Sequence, residues 1–516
     1  MKIRVYDTTL RDGSQTEGIS FSLDDKLKIA KKLDELGIHY IEGGWPGSNP
    51  KDVLFFEKVR ALNLKNSRIS AFGSTRYKNN SAQDDKNLKA IIDAKPDTAC
   101  IFGKSWDLHV KTALRAELSE NLEMIFDSVK FLKDNGLEVI FDAEHFFDGY
   151  KSNPEYALKT LQQAERAKAD YIVLCDTNGG TLPDELTDII DKVNKVIKTR
   201  LGIHTHNDSG MADANSLIAV KKGFVQVQGT INGYGERCGN ANLCVLIPSL
   251  QLKMKVLDDI NIEKLTDVSY YVSEIANKVP VDNQPYVGHS AFTHKAGIHV
   301  SAIQRDSKTY EHINPAIVGN QQRILVSELS GKSNIISKTE ELNIKLGTDE
   351  EVKKILALVK EKEHEGYQYE GADASLKVLL KKSIGEYKPS FHLEGFTITV
   401  NKDKKDTLKS EAMIKLHVKG VEEHTAASGD GPVNALDNAL HKALDKFYPE
   451  LKKVSLSDFK VRVIGSKGGT AAKVRVLITS RDEHSEWNTI GVSENIIEAS
   501  WLALVDSIEH VLLKRQ

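Results

Sequence analysis

YIVLCDTNGGTLPDELTDIIDKVNKVIKTRLGIHTH, residues 171–206, holds a complete strand–helix–strand unit. YIVLCD (171–176) and LGIHTH (201–206) are short runs of strand length. Between them PDELTDIIDKVNKVIK (183–198) carries the 3.6-residue apolar spacing of an amphipathic helix, with Pro183 near its first turn, where a missing N–H costs little. Strand, helix, strand in that order gives a right-handed parallel crossover. The same alternation runs outward in both directions. Further strands are expected at IRVYD (3–7), IHYIEG (38–43), RISAFG (68–73), TACIFG (98–103), LEVIFDA (137–143) and FVQVQGTI (224–231), with helices such as LDDKLKIAKKLDELG (23–37) and ENLEMIFDSVKFLKDNG (120–136) between them. In the first of these helices Leu23, Leu27, Ala30, Leu33 and Leu36 form one face, and Gly37 stands at the C-terminal cap. Eight strands in about 265 residues is the count of an α/β TIM (β/α)8 barrel, with a doubly wound open sheet as the alternative.

Beyond the barrel the pattern changes. From about 270 to 370 helical stretches such as 264–279 and 349–366 follow one another without strands, punctuated by Pro280, Pro285, Gly288, Pro315 and Gly319. The polar stretch EKEHEGYQYEGADAS (361–375) is expected to be mobile. The last 125 or so residues read as α+β with an internal repeat. FTITV (396–400), MIKLHV (413–418) and a helix over 431–447 are matched by FKVRVI (459–464), KVRVLITS (473–480) and a helix over 493–508. Two such ββα elements form one domain of a kind that pairs across chains. The expected division is a barrel over 1–265, helical linker subdomains over 266–385 and a regulatory, dimerising domain over 386–516.

Composition narrows the function. The chain has 516 residues, 40% hydrophobic, with Lys+Arg 70 against Asp+Glu 73 and a net charge of −3. That balance argues against nucleic acid as a partner. No apolar run reaches the length of a membrane span, and with strand-like KIRVYD near the start no signal peptide is expected. The four cysteines form no C-x-x-C pair. A cytoplasmic enzyme is expected.

The chemistry gathers at one end of the strands. In IHTHND (203–208), His204 and His206 lie two apart on the seventh strand, so both rings share a face and suit a divalent metal. They sit at the C-terminal end of the strand, where barrel active sites are built. DTTLRDGSQ (7–15) places Asp7, Arg11 and Asp12 after the first strand; Glu42 ends the second, Asp142 and Glu144 the fifth, and Asp176 and Thr177 the sixth. The glycines of NGYGERCGNAN (232–242) follow the eighth strand with the wrong spacing for a dinucleotide loop. There is neither a P-loop nor a G-x-S-x-G nucleophile elbow.

DTTLRDGSQ, IHTHND and GYGERCGN together resemble the signature set of the DRE-TIM metallolyases. AFTHKAGIHVSAI (291–303), YEHINPAIVGN (310–320), SGDGPVNALDNAL and WNTIGVSENIIEASWLALVD resemble the 2-isopropylmalate synthase and citramalate synthase branch, and the resemblance spans the whole chain. Ser14-Gln15-Thr16-Glu17-Gly18 and Gly44-Trp45-Pro46-Gly47 depart from the isopropylmalate synthase pattern and are most similar to that of the (R)-citramalate synthases.

The resemblance implies an acyltransferase that condenses acetyl-CoA with pyruvate and hydrolyses the thioester. Isopropylmalate synthesis from 2-oxoisovalerate is the alternative; homocitrate synthesis, retro-aldol cleavage and a non-catalytic metal-binding regulator are more remote. It implies a divalent cation (Mn2+, Mg2+, Co2+ or Zn2+) on Asp12, His204 and His206, with Asn240 as a weaker fourth ligand. Arg11 is implied to stabilise the developing alkoxide or the acetyl enolate, Thr177 to bind the substrate carboxylate, and Glu144 to act as base or orient the acetyl group. His299 and Tyr310 are implied to help activate acetyl-CoA or the hydrolytic water, and Glu42 and Asp7 to orient the inner residues. The C-terminal domain is implied to make a homodimer and sense an end product, isoleucine for the citramalate branch or leucine for the other. Gly429, Gly431 and the GSKGGTAA loop (465–472) are expected near that effector.

Overall fold

The computed structural model describes residues 2–346, 348–402, 404, 407–464 and 472–513. Eight strands close a barrel in chain order: β1 (Arg4–Asp7), β2 (Tyr40–Gly44), β3 (Arg68–Ser74), β4 (Thr98–Lys104), β5 (Glu138–Glu144), β6 (Tyr171–Asp176), β7 (Arg200–Thr205) and β8 (Gln226–Gly229). Every neighbouring pair is parallel, and β1 pairs with β8 from Arg4↔Gln226 to Asp7↔Gly229.

Alternation along each strand sorts side chains to two sides. Tyr6, Tyr40, Phe72, Cys100, Ile140 and Val173 belong to one buried cluster, and the Tyr6 hydroxyl donates to Glu42 at 2.9 Å and accepts from the Ser70 hydroxyl at 3.0 Å. The intervening positions, such as Val5, Ile41, Ile69, Ala99 and Ile203, pack with helix residues such as Ile29, Leu33, Ile125 and Ile190. Toward the C-terminal ends the first set turns polar: Glu42, Asp142, Glu144 and His204 continue it. Bulky apolar side chains thus fill the lower barrel, and titratable ones fill its mouth.

The helix Leu23–Leu36 shows how the local sequence fixes an element. Ser22 and Asp25 form a reciprocal capping box, worth about 1 kcal/mol, and Gly37 ends the helix at φ +99°. A Cβ on Gly37 would lie 3.1 Å from the Asp259 carbonyl.

The chain divides into two compact units, Met1–Phe292 with Ile313–Gln321, and Thr293–His312 with Gln322–Gln516. The second unit opens with helices, Gly297–Arg305, Lys332–Glu341, Asp349–Glu365 and Asp373–Ser383. The strand-free reading of this region needs one correction, because β9 (Thr293–His294) and β10 (Arg323–Ile324) pair in parallel. Two residues per strand leave no periodicity to read. The expectation that 361–375 is mobile is also overturned. Gly366 turns the chain at φ +114°, Arg475 donates to the Gly366 carbonyl at 2.7 Å and to Gln368 at 2.6 Å, and Tyr369 is buried against a stacked Tyr367.

The C-terminal repeat is present with one more strand per copy than expected. Antiparallel β11 (His392–Lys402), β12 (Leu408–Val418) and β13 (Val421–Gly429) precede the helix Pro432–Leu444; β14 (Ser455–Ile464), β15 (Lys473–Arg481) and β16 (Glu486–Ser493) precede the helix Ile496–Leu513. VEEHTAASG (421–429) buries none of its residues fully, so its alternation carries no apolar signal. In EWNTIGVS (486–493) Asn488 and Gly491 break the pattern; a Cβ on Gly491 would lie 2.0 Å from the Ala499 carbonyl, so glycine permits the close strand–helix contact. Gly429 and Gly431 flank the start of the first of these helices, whereas 465–471 of the GSKGGTAA loop lie outside the described residues. Among the described residues no helix is long and apolar enough to cross a membrane.

Candidate metal centre and active site

After β1 the chain turns back on itself: the Thr8 carbonyl accepts from the Arg11 and Gly13 amides at 3.2 and 3.0 Å. Asp12 occupies the cap position of the short turn Gly13–Gln15 but makes no capping hydrogen bond, so its carboxylate is not held by the turn. It lies instead against the β7 histidines. Asp12 Oδ2 is 3.3 Å from His204 Nε2, which is 3.4 Å from His206 Nε2. One ligand atom from each of these three buried residues lies within 4.8 Å of the others.

Asn240 joins them through the backbone, since His206 and Asn240 form an isolated antiparallel bridge. Its Nδ2 donates to the Tyr234 carbonyl at 3.1 Å, while its Oδ1 is buried without a hydrogen-bond partner. A buried amide oxygen without a partner among the described residues, on a residue bridged to His206, can join one carboxylate and two imidazoles in holding a divalent cation; a set of two oxygens and two nitrogens without thiolate suits Mg2+, Mn2+, Co2+ or Zn2+.

The electrostatics agree with the geometry. Burial alone would raise the Asp12 carboxyl, but Arg11, His204 and His206 outweigh it and hold Asp12 well below the usual carboxylate range. Arg11 is pinned by Glu42, with Nε to Oε2 at 2.6 Å, and its guanidinium lies 3.7 Å from the centroid of the Phe72 ring. Burial opposes its charge, yet Glu42 and Asp12 more than offset that, so Arg11 is a permanent cation. Burial, then the neighbouring His204 charge, push His206 down to about 4, which keeps it a neutral, ligand-competent ring. His204 goes the other way: burial lowers it, but Asp12 raises it further.

Without a cation, Asp12 thus lets His204 hold a proton to higher pH than an ordinary imidazole does. An incoming cation must displace that proton. Apparent metal affinity is accordingly expected to fall with decreasing pH, with proton release detectable by calorimetry in buffers of different ionisation enthalpy. An affinity that does not change between about pH 5.5 and 8 would contradict this ligand set.

Around these ligands lies a cavity of about 230 Å³ whose lining includes Arg11, Asp12, Asp142, Glu144, Thr177, His204 and His206. Glu144, at the end of β5, forms a close ion pair with Lys104 at the end of β4. The Thr177 hydroxyl accepts from the His145 amide at 2.9 Å, which leaves its own hydrogen to donate. Trp45 forms one wall. Its indole donates to Asn87 at 2.6 Å, its amide donates to Asp52 at 2.9 Å, and it meets Phe72 and Phe102 edge-on at 5.6 and 5.7 Å. Asp52 is in turn ion-paired with buried Lys26.

One expected contact is not made. Asp7 does not bond to the inner residues; it accepts from the Thr9 amide and hydroxyl at 2.9 and 2.8 Å, and the Thr9 hydroxyl accepts from the Ile231 amide. Asp7 thus ties the β1 loop to the end of β8, and burial pushes its carboxyl up to about 7. His299 and Tyr310 belong to the second unit, where their exposed rings stack at 4.1 Å. One residue that the motifs did not single out stands behind the ligands. Gln228 on β8 contacts His204 Nδ1 at 3.0 Å and donates to Asp142 at 3.1 Å. The only signal in the sequence was polar residues at alternate positions of QVQG, where an apolar lining is usual.

Comparison with known proteins matches this architecture in three segments. The HMGL-like family profile covers residues 2–272, the homocitrate synthase post-HMGL domain-like profile 286–366, and the LeuA allosteric (dimerisation) domain 370–512. The (R)-citramalate synthase of Geobacter sulfurreducens is 58% identical over 100% of this chain and 98% of its own length. That of Aquifex aeolicus is 55% identical over 99% and 98%. A probable 2-isopropylmalate synthase of Methanopyrus kandleri is 32% identical over 100% and 99%. The chain belongs to the HMGL-like family, in the branch that includes these full-length (R)-citramalate synthases.

Proposed function

We propose that this protein condenses acetyl-CoA with pyruvate and hydrolyses the thioester, releasing (R)-citramalate and CoA, as a step toward isoleucine. The observation that carries this reading is the likeness to (R)-citramalate synthases along the whole chain, together with the convergence of Asp12, His204 and His206 at the barrel mouth, to which we add Asn240 as a fourth donor. A divalent cation bound there supplies Lewis acidity to the keto oxygen of the acceptor.

The chain's own residues do the rest. The Thr177 hydroxyl donates to the pyruvate carboxylate. The Glu144 carboxylate, held beside Lys104, takes a proton from the acetyl methyl or orients the acetyl group for that loss. The methyl carbon then bonds to the keto carbon, and the negative charge that develops on the keto oxygen meets the fixed guanidinium of Arg11 before that oxygen takes up a proton to become the product hydroxyl. Water cleaves the thioester, leaving a carboxylate and a free thiol; we assign His299 and Tyr310 to activation of acetyl-CoA or of that water. Glu42 keeps Arg11 aimed through its 2.6 Å bond. In this reading residues 1–265 catalyse, 266–385 link, and 386–516 dimerise the chain and bind isoleucine as inhibitor. All four cysteines are free thiols, in keeping with a cytoplasmic setting.

In this reading the Trp45 wall favours pyruvate over branched acceptors. Trp45 is fixed from three sides, so the wall it forms does not yield to a larger substituent. Trp45→Ala is expected to raise kcat/KM for 2-oxoisovalerate relative to pyruvate by roughly 10-fold or more, since about 1–3 kcal/mol accompanies each methylene that a pocket accepts or rejects. An unchanged ratio would show that this wall does not select the acceptor. The reaction itself is tested by product: acetyl-CoA and pyruvate should yield citramalate and free thiol in equal amounts, and thiol release without citramalate would contradict the condensation.

A further inference from the structure

The two histidines of the centre are held differently. His206 Nδ1 is buried and makes no hydrogen bond, whereas His204 Nδ1 lies 3.0 Å from Gln228 Oε1. A carboxamide can face either way, so its neighbours decide its orientation. Here the nitrogen end of Gln228 faces the Asp142 carboxylate, Oδ1 at 3.1 Å, and also lies 3.4 Å from Gln226 Oε1, whose amide could itself turn. A flipped Gln228 amide would set its oxygen against that carboxylate. The carbonyl must therefore point at His204, where it can only accept, so Nδ1 keeps its hydrogen, and once an incoming cation displaces the other proton it is the Nε2 lone pair that faces Asp12 and His206. All four relay residues are buried, so water does not offer the ring a competing partner.

We propose that Gln228 is a positioning residue that, oriented by Asp142, locks His204 in the tautomer that binds the metal. The proposal rests on the reading of Asp12, His204 and His206 as the metal centre. Gln228 touches neither the cation nor the substrate; it acts through His204.

The test is Mn2+ titration of the metal-stripped full-length protein, with free ion counted by electron paramagnetic resonance. Gln228→Met keeps the volume but removes the acceptor, and is expected to weaken binding by about 10–100-fold, the usual cost of losing such a partner. Gln228→Glu alone sets two buried carboxylates face to face and is expected to weaken binding as well. Combining it with Asp142→Asn inverts the relay: the introduced carboxylate at 228 accepts from His204 Nδ1 and from the introduced amide at 142. That double variant is expected to recover most of the wild-type affinity, which a merely structural role for Gln228 does not predict. Wild-type affinity in Gln228→Met would overturn the proposal. So would a double variant as weak as the single ones, because the loss would then belong to packing. If the wild-type protein itself binds no Mn2+, the metal-centre reading fails rather than the relay alone.

Discussion

Asp12→Asn and His206→Ala are each expected to lower metal-dependent turnover by on the order of 1,000-fold or more while leaving the barrel folded. The magnitude follows from the several kcal/mol a Lewis acid contributes at a developing oxyanion, at about 1.4 kcal/mol per factor of ten. The fold should survive because neither side chain holds the barrel together. Asp12 makes no capping bond, and the loop around it is closed by backbone bonds to Thr8. His206 keeps its place through its amide, which donates to the Asp176 carbonyl at 3.1 Å. Circular dichroism and thermal melting separate the two effects: an unfolded variant would locate these residues in the fold rather than in the reaction, and near-normal turnover would remove them from the site.

Arg11→Ala is expected to lower kcat by about 100- to 1,000-fold, the typical cost of removing one donor from a developing oxyanion, with a smaller change in KM for pyruvate. The distinction matters because Arg11 has two roles. It presents a cation at the cavity, and it neutralises Glu42, which is fully buried and would be left without its guanidinium. Losing one partner of a buried ion pair costs roughly 3–5 kcal/mol of stability. Glu42→Gln separates the roles, since it keeps a hydrogen-bond acceptor and the Tyr6 contact while removing the charge. It should cost kcat less than Arg11→Ala does. A rise in KM with unchanged kcat in Arg11→Ala would instead make Arg11 a substrate-binding group only.

The barrel was legible because its strands are short, apolar and separated by helices with strong periodicity; each expected strand ends within two residues of the observed one. His204 and His206 could be read because a spacing of two on a strand fixes a shared face. Asp12 was separable from an ordinary turn residue only through its motif, and the structure supplies the physical reason in the missing cap bond. Gln228 could not be found that way, since its function lies in which end of its amide faces His204, and that depends on Asp142 from another strand. The same holds for Lys104, whose pairing with Glu144 exists only once β4 and β5 are in register at Lys104↔Glu144. In the C-terminal repeat the third strands escaped notice because β13 has no buried face of its own to impose an apolar alternation.

The most direct test of the central claim is release of free CoA from acetyl-CoA by the full chain, stripped of metal and then reloaded, with pyruvate, 2-oxoisovalerate and 2-oxoglutarate supplied separately. The expected result is release with pyruvate only after a divalent cation is restored, and much less with the two larger acceptors. Metal-independent release, or release with 2-oxoisovalerate exceeding that with pyruvate, would contradict the account.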